Sequence, residues 1–207
     1  MPIATATLQH QLDVYVAAGY PSLAGLSESQ FTALAQPVID AHSGADALLV
    51  VTRDLIDPEA RVPLLRLEGS QLPGVLDRNH ASDARAGLSH YAPREGVTVP
   101  AGPFYVVVDV DRGDEFRNVA PRDALPVIAS RGRTPLTIDE GLSLATVLPE
   151  VLVKNHCFML AGSTRGDKRV PALWIADKAP KLGWCFDGVP HSWLGVASAG
   201  SRLPADA

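Results

Sequence analysis

The segment Arg61–Leu67, RVPLLRL, returns 108 positions later as RVPALWI, Arg169–Ile175. A near-repeat within one chain constrains its fold strongly, because repeated segments tend to fold as repeated supersecondary units. At this offset the flanking segments follow the same order. ALLVVTR (47–53) falls within a residue or two of CFMLAGS, and both are apolar runs of strand length. Each is followed by a polar loop, DLIDPEA or TRGDK, and then by an RVP segment read as a strand. Upstream, LSESQFTALAQPVID (26–40) opens with Ser27-x-x-Gln30, and LTIDEGLSLATVLPE (136–150) opens with Thr137-x-x-Glu140. Each is a capping box, in which a hydroxyl and a side chain three residues on satisfy two free backbone N–H groups. Phe31, Leu34, Ala35 and Val38 then recur at helical spacing, as do Ile138, Leu142, Ala145 and Leu148.

Gly-then-Pro punctuation, GYPSLAG (19–25) and GRTP (132–135), ends an earlier helix in both halves. Those helices are LQHQLDVYVAA (8–18) and PRDALPVIASR (121–131). Pro121 suits a helix start, whereas Pro126 works against the interior. Downstream of each RVP segment lies another short apolar stretch, PGVLD (73–77) or LGWCFD (182–187). The expected architecture is α+β: an internally duplicated helix–helix–three-strand unit at about 8–79 and 121–188. Short connections make the sheet mainly antiparallel, with helices packed on it. The chain, 1–207, reads as a single compact domain. Residues 80–120 form a linker with one extra strand, FYVVVDV (104–110), and 199–207 a loose tail.

A chain of 207 residues with 46% apolar content can bury a core without staples. A net charge of -5, with no run of Lys or Arg, argues against a nucleic-acid binder. No apolar run approaches the ~18 residues of a membrane span, and the first residues lack a signal-peptide pattern. Two cysteines, Cys157 and Cys185, are too few for a disulfide scaffold. A cytoplasmic location is the expectation; the oligomeric state is not legible.

The halves differ most after the second RVP. WIADKAPKLGWCFDGVPHSWLG (174–195) holds all three tryptophans, Trp174, Trp184 and Trp193, with Lys181, Cys185, Asp187 and His191. Tryptophan joins a large apolar face to one polar N–H, so the segment reads either as core or as the lining of a pocket or interface. Cys185 and His191 form a candidate nucleophile–base dyad oriented by Asp187, although buried cysteines are more often inert. A zinc set of His156, Cys157, Cys185 and His191 is disfavoured, since adjacent strand residues point to opposite faces. The loop GSTRGDKR (162–169) offers Arg165 and Arg169 to an anion, or is a solvated hairpin loop. DVDRGDE (109–115) reads as turn chemistry or as oxygen ligands for a divalent cation. No Walker, Rossmann or G-x-S-x-G motif is present, so no cofactor and no metal are expected.

GRTPLTIDEGLSLAT, RVPALWI and PKLGWCFDGVPHSWLGVASAG together resemble the DUF5701 proteins, a largely actinobacterial family. The resemblance covers most of the chain and is densest from about 104 to 201. It implies no activity, cofactor or catalytic residue. The chain departs from the family pattern at Ser198–Gly200, where a further cysteine is expected. The Arg-rich, Lys-poor composition agrees with a high-GC source.

Two functional readings follow. The first is a small-molecule-binding protein or a cofactor-independent acid/base enzyme. Its site would lie in the C-terminal repeat, with His191, Asp187 and Cys185 doing the chemistry. Arg165, Arg169, Trp174, Lys181, Trp184 and Trp193 would bind the ligand. The second is a protein-interaction or structural module using the same Trp-rich surface.

Overall fold

The computed structural model describes Ile3, residues 5–77 and residues 87–205. The first half contains helices α1 (Leu8–Ala17), α2 (Tyr20–Leu23) and α3 (Glu28–Ala41), strand β1 (Ala47–Val51), helix α4 (Pro58–Arg61) and strand β2 (Val75–Leu76). Strands β3 (Ala92–Pro93) and β4 (Phe104–Val108) follow. The second half contains α5 (Pro121–Ser130), β5 (Thr134–Pro135), α6 (Ile138–Val147), β6 (Cys157–Met159), β7 (Ser163–Thr164), β8 (Arg169–Ala176), β9 (Ala179–Phe186), β10 (Leu194–Val196), β11 (Ser198–Ala199) and β12 (Ser201–Leu203).

The fold is α+β. One sheet has the order β1-β4-β12 and is antiparallel throughout. A second has the order β10-β6-β8-β9-β2; its centre is antiparallel, and its outer strands β10 and β2 join in parallel. Two short ribbons, β11-β5 and β3-β7, complete the strand pairing. A continuous hydrophobic cluster joins residues of α1, α3, β1, β4, α6 and the larger sheet, so both halves share a core.

Both capping boxes form. Ser27 and Gln30 close the start of α3, and Thr137 and Glu140 close the start of α6. The second box lies deep inside: all ten residues of α6 are buried. Strand β1 is an edge strand whose outer backbone groups meet side chains instead of another strand. Gln11 bonds both the Ala47 carbonyl and the Leu49 N–H at 2.7 Å, the Tyr15 hydroxyl donates to the Leu49 carbonyl, and the Val51 N–H donates to Ser143 Oγ. Such cover removes a template for unwanted pairing.

Three expectations are corrected. The first RVP segment is no strand: Arg61 ends α4, and Val62–Leu64 continue it as a 3-10 turn. Asp57 caps α4 by accepting from the Glu59 N–H, and Pro58 stands in its first turn, so a helix start precedes RVP and carries through it. Secondly, β1 pairs with β4, not with the next segment in the chain, RVP, and β2 joins the sheet of the second half. The order helix, capped helix, strand recurs; the three-strand arrangement does not. Thirdly, residues 201–203 pair with β4 instead of forming a loose tail, and Arg202 anchors them by reaching inward to Glu140. The linker's residues 80–86 and the tail's last two lie outside the described residues.

Candidate functional site

The β8–β9 hairpin turns through Asp177 and Lys178, both at positive φ, 52° and 62°, as a two-residue turn matched to strand twist requires. Alternation along the strands then divides the Trp-rich segment between two faces. Trp174, Lys181, Gly183 and Cys185 share one face; Arg169, Trp184 and Phe186 share the other.

On the first face, the Trp174 ring covers Gly183, where a Cβ would collide with it. Trp174 meets Trp193 edge-on at 6.0 Å between ring centroids, and Trp193 meets His191 at 5.4 Å. Lys181 is tied to Asp77 at 3.0 Å. The Cys185 thiol lies 3.2 Å from the Met159 sulfur, and burial pushes its pKa up to about 12. Burial lowers that of His191. Among the described residues no hydrogen bond joins Cys185, Asp187 and His191, and His191 Nε2 is buried without a partner. The candidate dyad is therefore not assembled: its thiol stays protonated at neutral pH, and its carboxylate does not orient the imidazole. Cys157 is buried against the Val153 carbonyl while His156 faces Asp114 at 3.7 Å. Asp109 pairs with Arg133 instead of lining a cation loop.

The second face brings Arg165, Arg169 and Trp184 together. The loop after β7 is shaped by Gly166 at φ 80° and by Asp167, whose Oδ1 accepts from the Arg169 N–H at 2.9 Å. Asp167 Oδ2 then receives both guanidinium groups, Arg165 Nε at 2.9 Å and Arg169 Nη1 at 2.7 Å. Partial burial works to raise the Asp167 pKa, but the Arg169 N–H and the two guanidinium charges outweigh it and hold the carboxyl below its ordinary value. The Arg169 guanidinium lies 4.6 Å from the Trp184 ring centroid, and that of Arg165 lies 6.0 Å from the Tyr91 ring. One carboxylate occupies two arginines, which leaves donors over. Arg165 Nη1, Arg169 Nε and Trp184 Nε1 are all buried and have no hydrogen-bond partner among the described residues. Buried donors are paired in the great majority of structures, so three orphans in one cluster need an explanation.

A second polar centre escaped sequence reading. Arg61, from the first RVP, is fully buried; it donates to the Val51 carbonyl at 2.5 Å and forms an ion pair with Asp139. Arg53 bonds the other Asp139 oxygen at 2.9 Å and the Tyr91 carbonyl at 2.5 Å. Beside it, fully buried Glu140 accepts from the Tyr105 hydroxyl at 2.8 Å and from Arg202 Nε and Nη2 at 2.5 and 2.9 Å, while its capping bond to the Thr137 N–H measures 2.7 Å. The available signal was Asp139-Glu140 inside an otherwise apolar helix, which reads equally well as helix-start chemistry.

Fold and site together define an α+β protein with a cluster of unsatisfied arginine and tryptophan donors at one end of a hairpin. The family of unknown function DUF5701 matches residues 14–205, and the chain belongs to it. No curated protein and no solved structure matches the chain. Among the described residues no helix is long and apolar enough to cross a membrane.

Proposed function

We propose that this protein binds a small anionic molecule at the Arg165–Arg169–Trp184 cluster. The observation that carries the reading is the set of three buried donors without acceptors. A phosphate or carboxylate group supplies several acceptor oxygens at once, and arginine's planar fork suits both. Asp167 holds the two guanidinium groups before the ligand arrives, which lowers the ordering cost of binding. Of the residues named from the sequence, Arg165, Arg169 and Trp184 carry this role; Trp174, Trp193, Lys181 and His191 pack on the opposite face.

Titration with inorganic phosphate and with phenyl phosphate, followed by tryptophan fluorescence and calorimetry, tests the proposal. Saturable binding that weakens at least about tenfold in Arg165→Ala and in Arg169→Ala is expected, on the scale of a lost charge-assisted hydrogen bond. Absence of saturable binding, or equal affinity in both variants, contradicts it.

An interaction module is the second reading. Phe186 is 50% exposed and Val189 42% exposed, both close in sequence to Trp184. Loss of a protein partner on Phe186→Ser, with anion titrations flat in the wild type, would favour that reading.

A further inference from the structure

A cavity lies where the loop after β1 meets the start of α6. Its volume is about 210 Å³, and its wall includes Arg53, Thr137, Asp139, Ser163, Pro93 and Val99. At roughly 30 Å³ of liquid volume per water, it has room for a molecule of only a few heavy atoms. Four of its polar residues are themselves deeply buried: Ser163 is 1% exposed, Thr137 3%, Thr52 4% and Asp139 8%.

Several donors on this wall have no acceptor among the described residues. Arg53 spends Nε on Asp139 and Nη1 on the Tyr91 carbonyl, and its Nη2 donates to no described residue. The Ser163 hydroxyl accepts from the Ile138 N–H at 2.9 Å, and its own proton has no acceptor among the described residues. Thr137 likewise accepts, from the Glu140 N–H at 3.4 Å, and donates to none. The N–H of Asp139, in the first turn of α6, is not used by any described group. Asp139 accepts from Arg53 and Arg61, one on each oxygen, and from no other described donor on this wall. Asp139 is held at this depth between fully buried Arg61 and partly exposed Arg53; buried ion pairs are costly and apolar replacements are often neutral or stabilising, so a role beyond stability accounts better for Arg53 and Asp139 on this wall.

Pro93, Val99, Pro100 and Ala101 give the cavity an apolar lining, and Asp54 adds an exposed carboxylate among the lining residues. A ligand with one negatively charged, acceptor-rich end and a short apolar body meets all three features. A second negative charge on the ligand would face Asp54. We propose that this cavity is a second binding site, which takes a short-chain monocarboxylate with its carboxylate against Arg53, Ser163 and the first turn of α6. The site shares no lining residue with the Arg165–Arg169–Trp184 cluster, although Tyr91 touches both, its carbonyl on Arg53 and its ring under Arg165.

Amide NMR of the full chain, titrated with propionate and separately with succinate, tests this. Saturable shifts at Arg53, Asp139 and Ser163 are expected with propionate, with at least tenfold weaker binding of succinate. Val99→Phe fills the cavity and leaves its charges in place; Arg53→Met removes the free donor. Both should weaken propionate binding at least tenfold while the response to phenyl phosphate at Arg165 and Arg169 is unchanged. Melting curves establish that each variant is folded, and either folded variant suffices. No saturable shift at the three amides, equal affinity for succinate, or unchanged affinity in a folded variant overturns the proposal. Loss of propionate binding in Arg169→Ala would move the site to the other cluster and overturn it as well.

Discussion

Arg61 ends helix α4 with its side chain fully buried against Asp139, whereas Arg169 begins strand β8 with a side chain 30% exposed against Asp167. Both start an Arg-Val-Pro segment and both pair with aspartate. What separates them lies just outside the shared letters. Asp57-Pro58 before the first segment starts a helix; the Gly-Asp-Lys loop before the second delivers an extended strand that continues through Leu173, Trp174 and Ile175. Local capping and turn chemistry thus decide how an identical tripeptide folds. The environment then decides what its arginine does: each keeps a buried Nε without a partner among the described residues, but Arg61 is sealed inside a core ion pair, whereas Arg169 is partly exposed beside Arg165 and Trp184.

The largest expected difference is in stability. Arg61→Met should destabilise the fold by about 3–5 kcal/mol, because it leaves Asp139 short of a partner in the interior. Urea denaturation measures this; a loss below about 1 kcal/mol would mean that the Arg61–Asp139 pair is dispensable. The capping boxes give the next contrast. Thr137→Ala, at the buried start of α6, should cost about 1–2 kcal/mol, and Ser27→Ala, at the exposed start of α3, about 0.5–1 kcal/mol. Equal losses would show that burial does not amplify the cap.

The smallest effect concerns acid. Asp167 has a depressed pKa in the folded state, so its contribution is present above the ordinary value of 3.8 and disappears as pH falls through the lower folded value. The group is 37% exposed, so solvent screening keeps that contribution below about 1 kcal/mol. Carboxyl NMR should place its midpoint below 3.8. A midpoint at or above that value would mean that the two guanidinium groups do not hold it.

Local signals carried much of the fold. The capping boxes, Pro121 at a helix start and the FYVVV strand all read correctly, because each is determined within a few residues; of the apolar spacing, Leu34 is exposed and Leu148 stands just past its helix. Strand partners were illegible: nothing in ALLVV indicates that it pairs with FYVVV rather than with the next segment in the chain, since an apolar run carries no mark of its partner. At the site, Arg165 and Arg169 could be named because loop and charge are local. The division of the tryptophans followed from hairpin register, and the Arg61–Asp139 pair spans 78 residues and two halves. Long-range contacts of that kind leave no periodic trace in one sequence.

The contrast between the two arginines meets its most direct test in the melting temperature of Arg169→Ala with and without phenyl phosphate. Without ligand it should melt within about 4 °C of wild type, the shift that ~1 kcal/mol produces in a chain of this size. The ligand-induced rise seen in wild type should be absent. A rise equal to that of wild type, or an unliganded loss as large as that of Arg61→Met, would contradict the assignment of Arg169 to binding and Arg61 to the core.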